Sequence, residues 1–204
     1  MSLKKWKNEF KKQHFINVLK NVRHQLMREF DYTRAPYLIE RKLEDAALMV
    51  FADRGERTAI FYDYAKFKRH YGDCDKDVQM MYAVSTIAHE MRHYFQHRQI
   101  SAKNPIVKEK ILKKWEENKP KFKAKKGENS WLKSYYMKPR ELDAQLFAYT
   151  FVADNLNQAL IGAFYNFDHY KQLKKLDRKY GGSMHRTIFS REITKTVKQN
   201  NKNA

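Results

Sequence analysis

Residues 80–96, Met80-Met81-Tyr82-Ala83-Val84-Ser85-Thr86-Ile87-Ala88-His89-Glu90-Met91-Arg92-His93-Tyr94-Phe95-Gln96, decide how this chain is read. Placed about 100° apart on a helical wheel, Met80, Met81, Val84, Ile87, Ala88, Met91 and Phe95 gather on one side. His89 and His93 fall on the other, with Tyr82, Ser85, Thr86 and Gln96. The histidines therefore fill no hole in the apolar stripe. The pattern predicts a helix capped by Asp77 and running to about Gln99, after a loop at Gly72-Asp73-Cys74-Asp75.

His89-Glu90-Met91-Arg92-His93 has the H-E-x-x-H spacing. Residues four apart on a helix stand one above the other, so both imidazoles can reach one tetrahedral Zn²⁺ from the same side. Glu90 comes one position later, about 100° round the helix, outside the ligand set but near a zinc-bound water that it can deprotonate as general base. The bland alternative is a pair of surface histidines on a polar face, with no metal and no third ligand.

A third ligand is available from Pro139-Arg140-Glu141-Leu142-Asp143-Ala144-Gln145, in a second expected helix that opens at Pro139 and runs to about Asn155. Glu141 shares its face with Ala144, Gln145, Ala148 and Val152, and the two alanines permit close helix approach. Asp143 lies about 160° away on the same wheel, so only one of the two carboxylates can face the metal. Glu141 is preferred and Asp143 reads as structural. His97 continues the four-residue series, but about 12 Å above His89 it is too far to share an ion held at about 2 Å. It is a substrate contact or plain surface.

Working outward, Leu3, Trp6, Phe10, Val18, Val22, Leu26 and Phe30 predict an amphipathic helix within residues 1–35. It lies either across the core or on a membrane surface. A short helix is expected from Pro36 to about Glu44. Two strands follow, Ala47 to Ala52 and Thr58 to Tyr64, joined by the turn chemistry of Asp53-Arg54-Gly55-Glu56. Residues 100–134 form a basic insertion, with ten lysines against three glutamates between Lys103 and Lys126. Further helices are expected over 157–180 and 185–198, split by Gly181-Gly182, before a flexible tail at 199–204. The fold class is α+β, mostly helical with a small sheet or hairpin preceding the helix of the motif, in one domain spanning 1–204.

The 204 residues, 42% apolar and 14% aromatic, are too rich for a disordered chain. One cysteine, Cys74, excludes a disulfide framework and fits a reducing, cytoplasmic setting. Lysines at 4, 5 and 7 interrupt any signal-peptide core, and no apolar run reaches membrane-spanning length. The formal net charge of +19 attracts phosphate, anionic lipid or acidic polymer. Walker, dinucleotide-binding, C-x-x-C and G-x-S-x-G signatures are all missing from the sequence.

Through His89, Glu90, His93, and Glu141 with Ala144, the chain resembles the zincin metallopeptidases of gluzincin type, over about residues 37–155, and within them small H-E-x-x-H proteins of bacteria and their phages. The resemblance implies one Zn²⁺ per chain held by His89, His93 and Glu141, and peptide-bond hydrolysis on a peptide or protein substrate with Glu90 as base. It also implies that the strand Thr58 to Tyr64 is an edge strand that pairs with extended substrate. The metzincin pattern is absent, since Gln96 and Gln99 stand where it needs Gly and His. Many gluzincins carry an Asp four residues after the Glu, where this chain has Gln145, an amide that can still accept from an imidazole.

Tyr135, Tyr136, Tyr149 and His185 are candidates to bind substrate by donating to the oxyanion. Two rival readings keep the metal site vestigial or structural. In one, the lysines of 103–126 with Trp115, Phe122 and Trp131 bind nucleic acid by charge and stacking. In the other, the basic N-terminal helix lies on an anionic surface.

Overall fold

The computed structural model describes residues 10–44, 47–54, 57–118 and 138–156. By its contacts the chain divides into two compact units, Met1–Glu90 and Met91–Ala204, and the boundary falls inside one continuous helix. The fold is α+β and mostly helical, with five helices and a three-stranded sheet among the described residues.

The N-terminal unit opens with α1 (Lys12–Glu29), whose Phe15, Leu19, Val22 and Leu26 recur every three or four residues and are all buried. The Phe15 ring lies 4.5 Å from that of Phe67, 5.3 Å from Tyr64 and 5.9 Å from Tyr62, centroid to centroid. These four residues of the α1 stripe thus lie in the protein's own core.

The sheet comprises β1 (Tyr37–Glu40), β2 (Met49–Arg54) and β3 (Arg57–Tyr62) in the order β1-β3-β2. β1 runs parallel to β3, and β2 antiparallel to it. Arg54 pairs with Arg57 at the end of that register. Ile60, in the central strand, is fully buried.

Two expectations are corrected here. The segment after Pro36 is a strand rather than a helix: Tyr37, Leu38 and Ile39 suit a pleated surface, and they pair in a parallel ladder with β3. The strand expected at the sheet edge, Thr58 to Tyr64, is central among the described strands, with β1 on one side and β2 on the other.

That strand also stops at Tyr62, because Asp63 caps an unforeseen helix, α2 (Tyr64–Tyr71). Asp63 accepts from Lys66 N at 2.8 Å and Leu43 N at 3.1 Å. Burial works to raise its pKa, but these two hydrogen bonds and the nearby Lys66 charge outweigh it and hold the carboxyl below its usual range.

Helix α3 (Lys76–Ile100) carries the motif, and Asp77 sits inside its first turn rather than capping it. In the C-terminal unit α3 is followed by α4 (Glu109–Glu117), which ends on Asn118 in the left-handed conformation, and by α5 (Pro139–Asn155), which opens with proline at its first turn. α4 packs on α5. Ala144 and Ala148 of α5 are fully buried, and Phe147, Phe151 and Val152 join them in the core. The helices expected over 157–180 and 185–198, the tail, and residues 1–9 and 119–137 lie outside the described residues. No described helix is long and apolar enough to cross a membrane.

Ile60 supplies a test of the sheet's place in the core. Ile60→Ala is expected to lower stability by about 2–5 kcal/mol in urea unfolding, whereas Ile39→Thr on the exposed side of β1 changes it by under about 1 kcal/mol. Equal losses would contradict the assigned faces.

Candidate metal centre

Helix α3 is unusual in burying polar as well as apolar side chains. Met81, Val84, Ile87, Ala88, Met91 and Phe95 are core residues as their spacing predicts, and Glu90, Arg92, His93, Gln96 and Gln99 are buried with them. Burying so many polar groups is costly unless each is bonded, so their partners define what the helix is for.

One cluster meets the geometric requirement for a cation. His89, His93 and Glu141 each offer a ligand atom, and these atoms all lie within 4.8 Å of one another. The histidines stand one turn apart on α3, and Glu141 sits in the first turn of α5. His93 Nε2 is 3.4 Å from Glu141 Oε2, with the two side chains only 11% and 12% exposed. A pair of solvated surface histidines does not describe this arrangement.

The carboxylate in the cluster is therefore that of Glu141. Asp143 pairs with Arg92 in a buried two-point contact: Nε donates to Oδ2 at 2.7 Å and Nη2 to Oδ1 at 3.1 Å. The guanidinium of Arg92 also lies 4.5 Å from the Phe95 ring centroid, 5.2 Å from Phe147 and 5.6 Å from Trp115. Flat, delocalised and weakly hydrated, it is the cation best suited to such an aromatic cage.

Gln96 is fully buried beside this pair. Its amide nitrogen donates to Asp143 Oδ2 at 2.7 Å and to Arg140 O at 3.0 Å, and its oxygen lies 2.9 Å from His93 Nδ1. The imidazole support sought at Gln145 is thus supplied by Gln96, from the ligand's own helix. Arg140 is partly buried, and desolvation lowers its pKa while the neighbouring Glu141 opposes the change.

Glu90 is held from the sheet. Its Oε2 accepts a 2.7 Å hydrogen bond from the backbone N–H of Phe51 in β2. The β2–β3 register places Leu48 O in the ladder, bonded to Asp63 N at 3.1 Å, so Phe51, three positions on, turns its N–H away from β3. Further along α3, Tyr82 stacks on Tyr71 with ring centroids 4.0 Å apart, and burial pushes its phenol up to about 12, with Tyr71 and Cys74 adding to the effect.

Of the proposed substrate contacts, Tyr149 is on α5 eight residues, about 12 Å along the axis, beyond Glu141. Tyr135, Tyr136 and His185 fall outside the described residues, as do Phe122, Trp131 and the rest of the basic insertion from residue 119. His97 lies in the last turn of α3. Trp115, counted by its sequence among rings for base stacking, is 1% exposed and packs edge-on to Phe95, so it presents no face to a nucleic acid.

Comparison of the chain with known protein families, with curated proteins and with solved structures finds no match. The site therefore rests on its own geometry.

Asp143→Ala strands the Arg92 charge in an apolar cage and is expected to cost about 3–5 kcal/mol of stability. The double variant Arg92→Met, Asp143→Leu removes both charges and is expected to lose far less, in thermal or urea unfolding. A single variant as stable as the parent would contradict the pair's burial.

Proposed function

We propose that this protein is a zincin-like, zinc-dependent peptidase in which His89, His93 and Glu141 hold the ion and Glu90 is the general base. The observation that carries the reading is the convergence of two imidazoles and one carboxylate within 4.8 Å of each other. Nitrogen and carboxylate donors in threes, with one position open, are the donor set of catalytic zinc. One separation suits it as well. Two ligands each about 2.05 Å from a tetrahedral centre are about 3.3–3.4 Å apart, and His93 Nε2 and Glu141 Oε2 are 3.4 Å apart.

When bound, zinc supplies a Lewis acid that polarises a scissile carbonyl and makes water acidic enough to attack near neutral pH. The chain's own residues do the rest. Glu90, one residue after a ligand and so beside the ion rather than on it, accepts the proton of the attacking water and passes it to the leaving amine. Phe51 N–H fixes its carboxylate against the sheet, which spares the reorganisation a free side chain would need.

The same side of β2 favours an extended peptide as substrate. The Phe51 N–H points away from the ladder with β3, and alternate residues of a strand share that direction, so the backbone groups of Met49 and Asp53 point to the same side. A peptide added there is antiparallel or parallel to β2, with its carbonyls near Glu90.

Native mass spectrometry of the purified chain is expected to find one zinc per protein. Glu90→Gln should retain the metal and lose about 10²–10⁴-fold in peptide hydrolysis, the usual worth of a general base. His89→Ala and Glu141→Ala should lose metal and activity together. Full peptidase activity in Glu90→Gln, or no zinc in the parent protein, would remove the proposal.

A further inference from the structure

Resting on the metal reading above, we infer that Gln96 is a positioning residue that sets the tautomer of His93, and that Asp143 and Arg140 in turn set the orientation of Gln96. An amide side chain can be turned either way, and the two ends offer opposite chemistry, one accepting and the other donating. Here the surroundings leave no choice. One end of the Gln96 amide faces Arg140 O at 3.0 Å and Asp143 Oδ2 at 2.7 Å, both acceptors, so it must be the NH₂. The other end lies 3.5 Å from Arg140 Nε, a donor, so it must be the oxygen.

The consequence passes to the imidazole. The atom facing His93 Nδ1 at 2.9 Å is an acceptor, so Nδ1 carries the proton and donates it. In neutral imidazole only one nitrogen is protonated, so Nε2, 3.4 Å from Glu141 Oε2, is the nitrogen left to bind an ion. That is the tautomer a metal ligand requires. Neutral histidine free in water prefers the other one, so the chain must select it.

Asp143 holds Gln96 with the same oxygen, Oδ2, that accepts from Arg92 Nε. Gln96, Asp143, Arg140 and Arg92 thus form a connected set with no step longer than 3.5 Å. An outer partner of this kind raises ligand basicity and fixes ring orientation, and its removal costs about 10–100-fold in metal affinity.

The test has two readouts. Two-bond ¹H–¹⁵N correlation spectra of the metal-free protein at pH 8 report which nitrogen of His93 is protonated. The parent protein is expected to show Nδ1–H, and Gln96→Met, which keeps the side chain's length without its acceptor, is expected to revert towards Nε2–H. Competition with a chromophoric chelator should then show Gln96→Met binding zinc about 10–100-fold more weakly than the parent, with its circular dichroism unchanged. An Nε2–H tautomer in the parent protein overturns the inference, as does unchanged zinc affinity in a folded Gln96→Met. If Gln96→Met fails to fold, the parent's tautomer decides alone. A parent with Nδ1–H but no zinc affinity supports the Gln96 assignment and defeats the peptidase reading instead.

Discussion

The meeting of His93 and Glu141 in the candidate metal site depends on the buried contact between Arg92 and Asp143. It joins α3 to α5 by two parallel hydrogen bonds in a site closed by Phe95, Phe147 and Trp115. Neither charge tolerates much rotation or sliding, because any displacement leaves an ion desolvated without its partner. Glu141 and Asp143 are two residues apart on α5, so the contact that fixes one fixes the register of the other. Glu141 meets His93 because Asp143 meets Arg92.

This explains why α3 departs from an amphipathic surface helix. Its apolar side chains pack in the core, while its polar ones are bonded to one another and to α5, and to β2 through Glu90. Buried polar networks of this type specify one arrangement, since an alternative packing would leave several groups unsatisfied at once. Under the proposed chemistry, rigidity at His93 and Glu90 is an advantage, because a pre-organised ligand and base need not be ordered during the reaction.

Much of this was legible in the residues. The helices over α3 and α5 follow from apolar periodicity and from Pro139, and Glu141 follows from its place beside Ala144 and Ala148, both fully buried. The helix expected after Pro36 was misread because Tyr37-Leu38-Ile39-Glu40 is too short for its periodicity to speak, and its pairing partner, β3, lies some twenty residues on. α2 was missed because a single aspartate, Asp63, both ends a strand and caps a helix. Gln96 reads in the sequence as a residue on the face of the histidines and as a departure from a known pattern. Nothing in the sequence marked its amide as bonded at both ends, since its partners Arg140 and Asp143 are 44 and 47 residues away.

The sequence by itself determined the two imidazoles on one face and the acid beside them, because helical spacing is a local property carried by five consecutive residues. It also determined that a later helix could bring a carboxylate close. Which groups flank the two nitrogens of His93, and which strand reaches Glu90, were decided only by the tertiary structure. These depend on helix register, amide orientation and strand order, and each is settled by contacts between residues far apart in the chain.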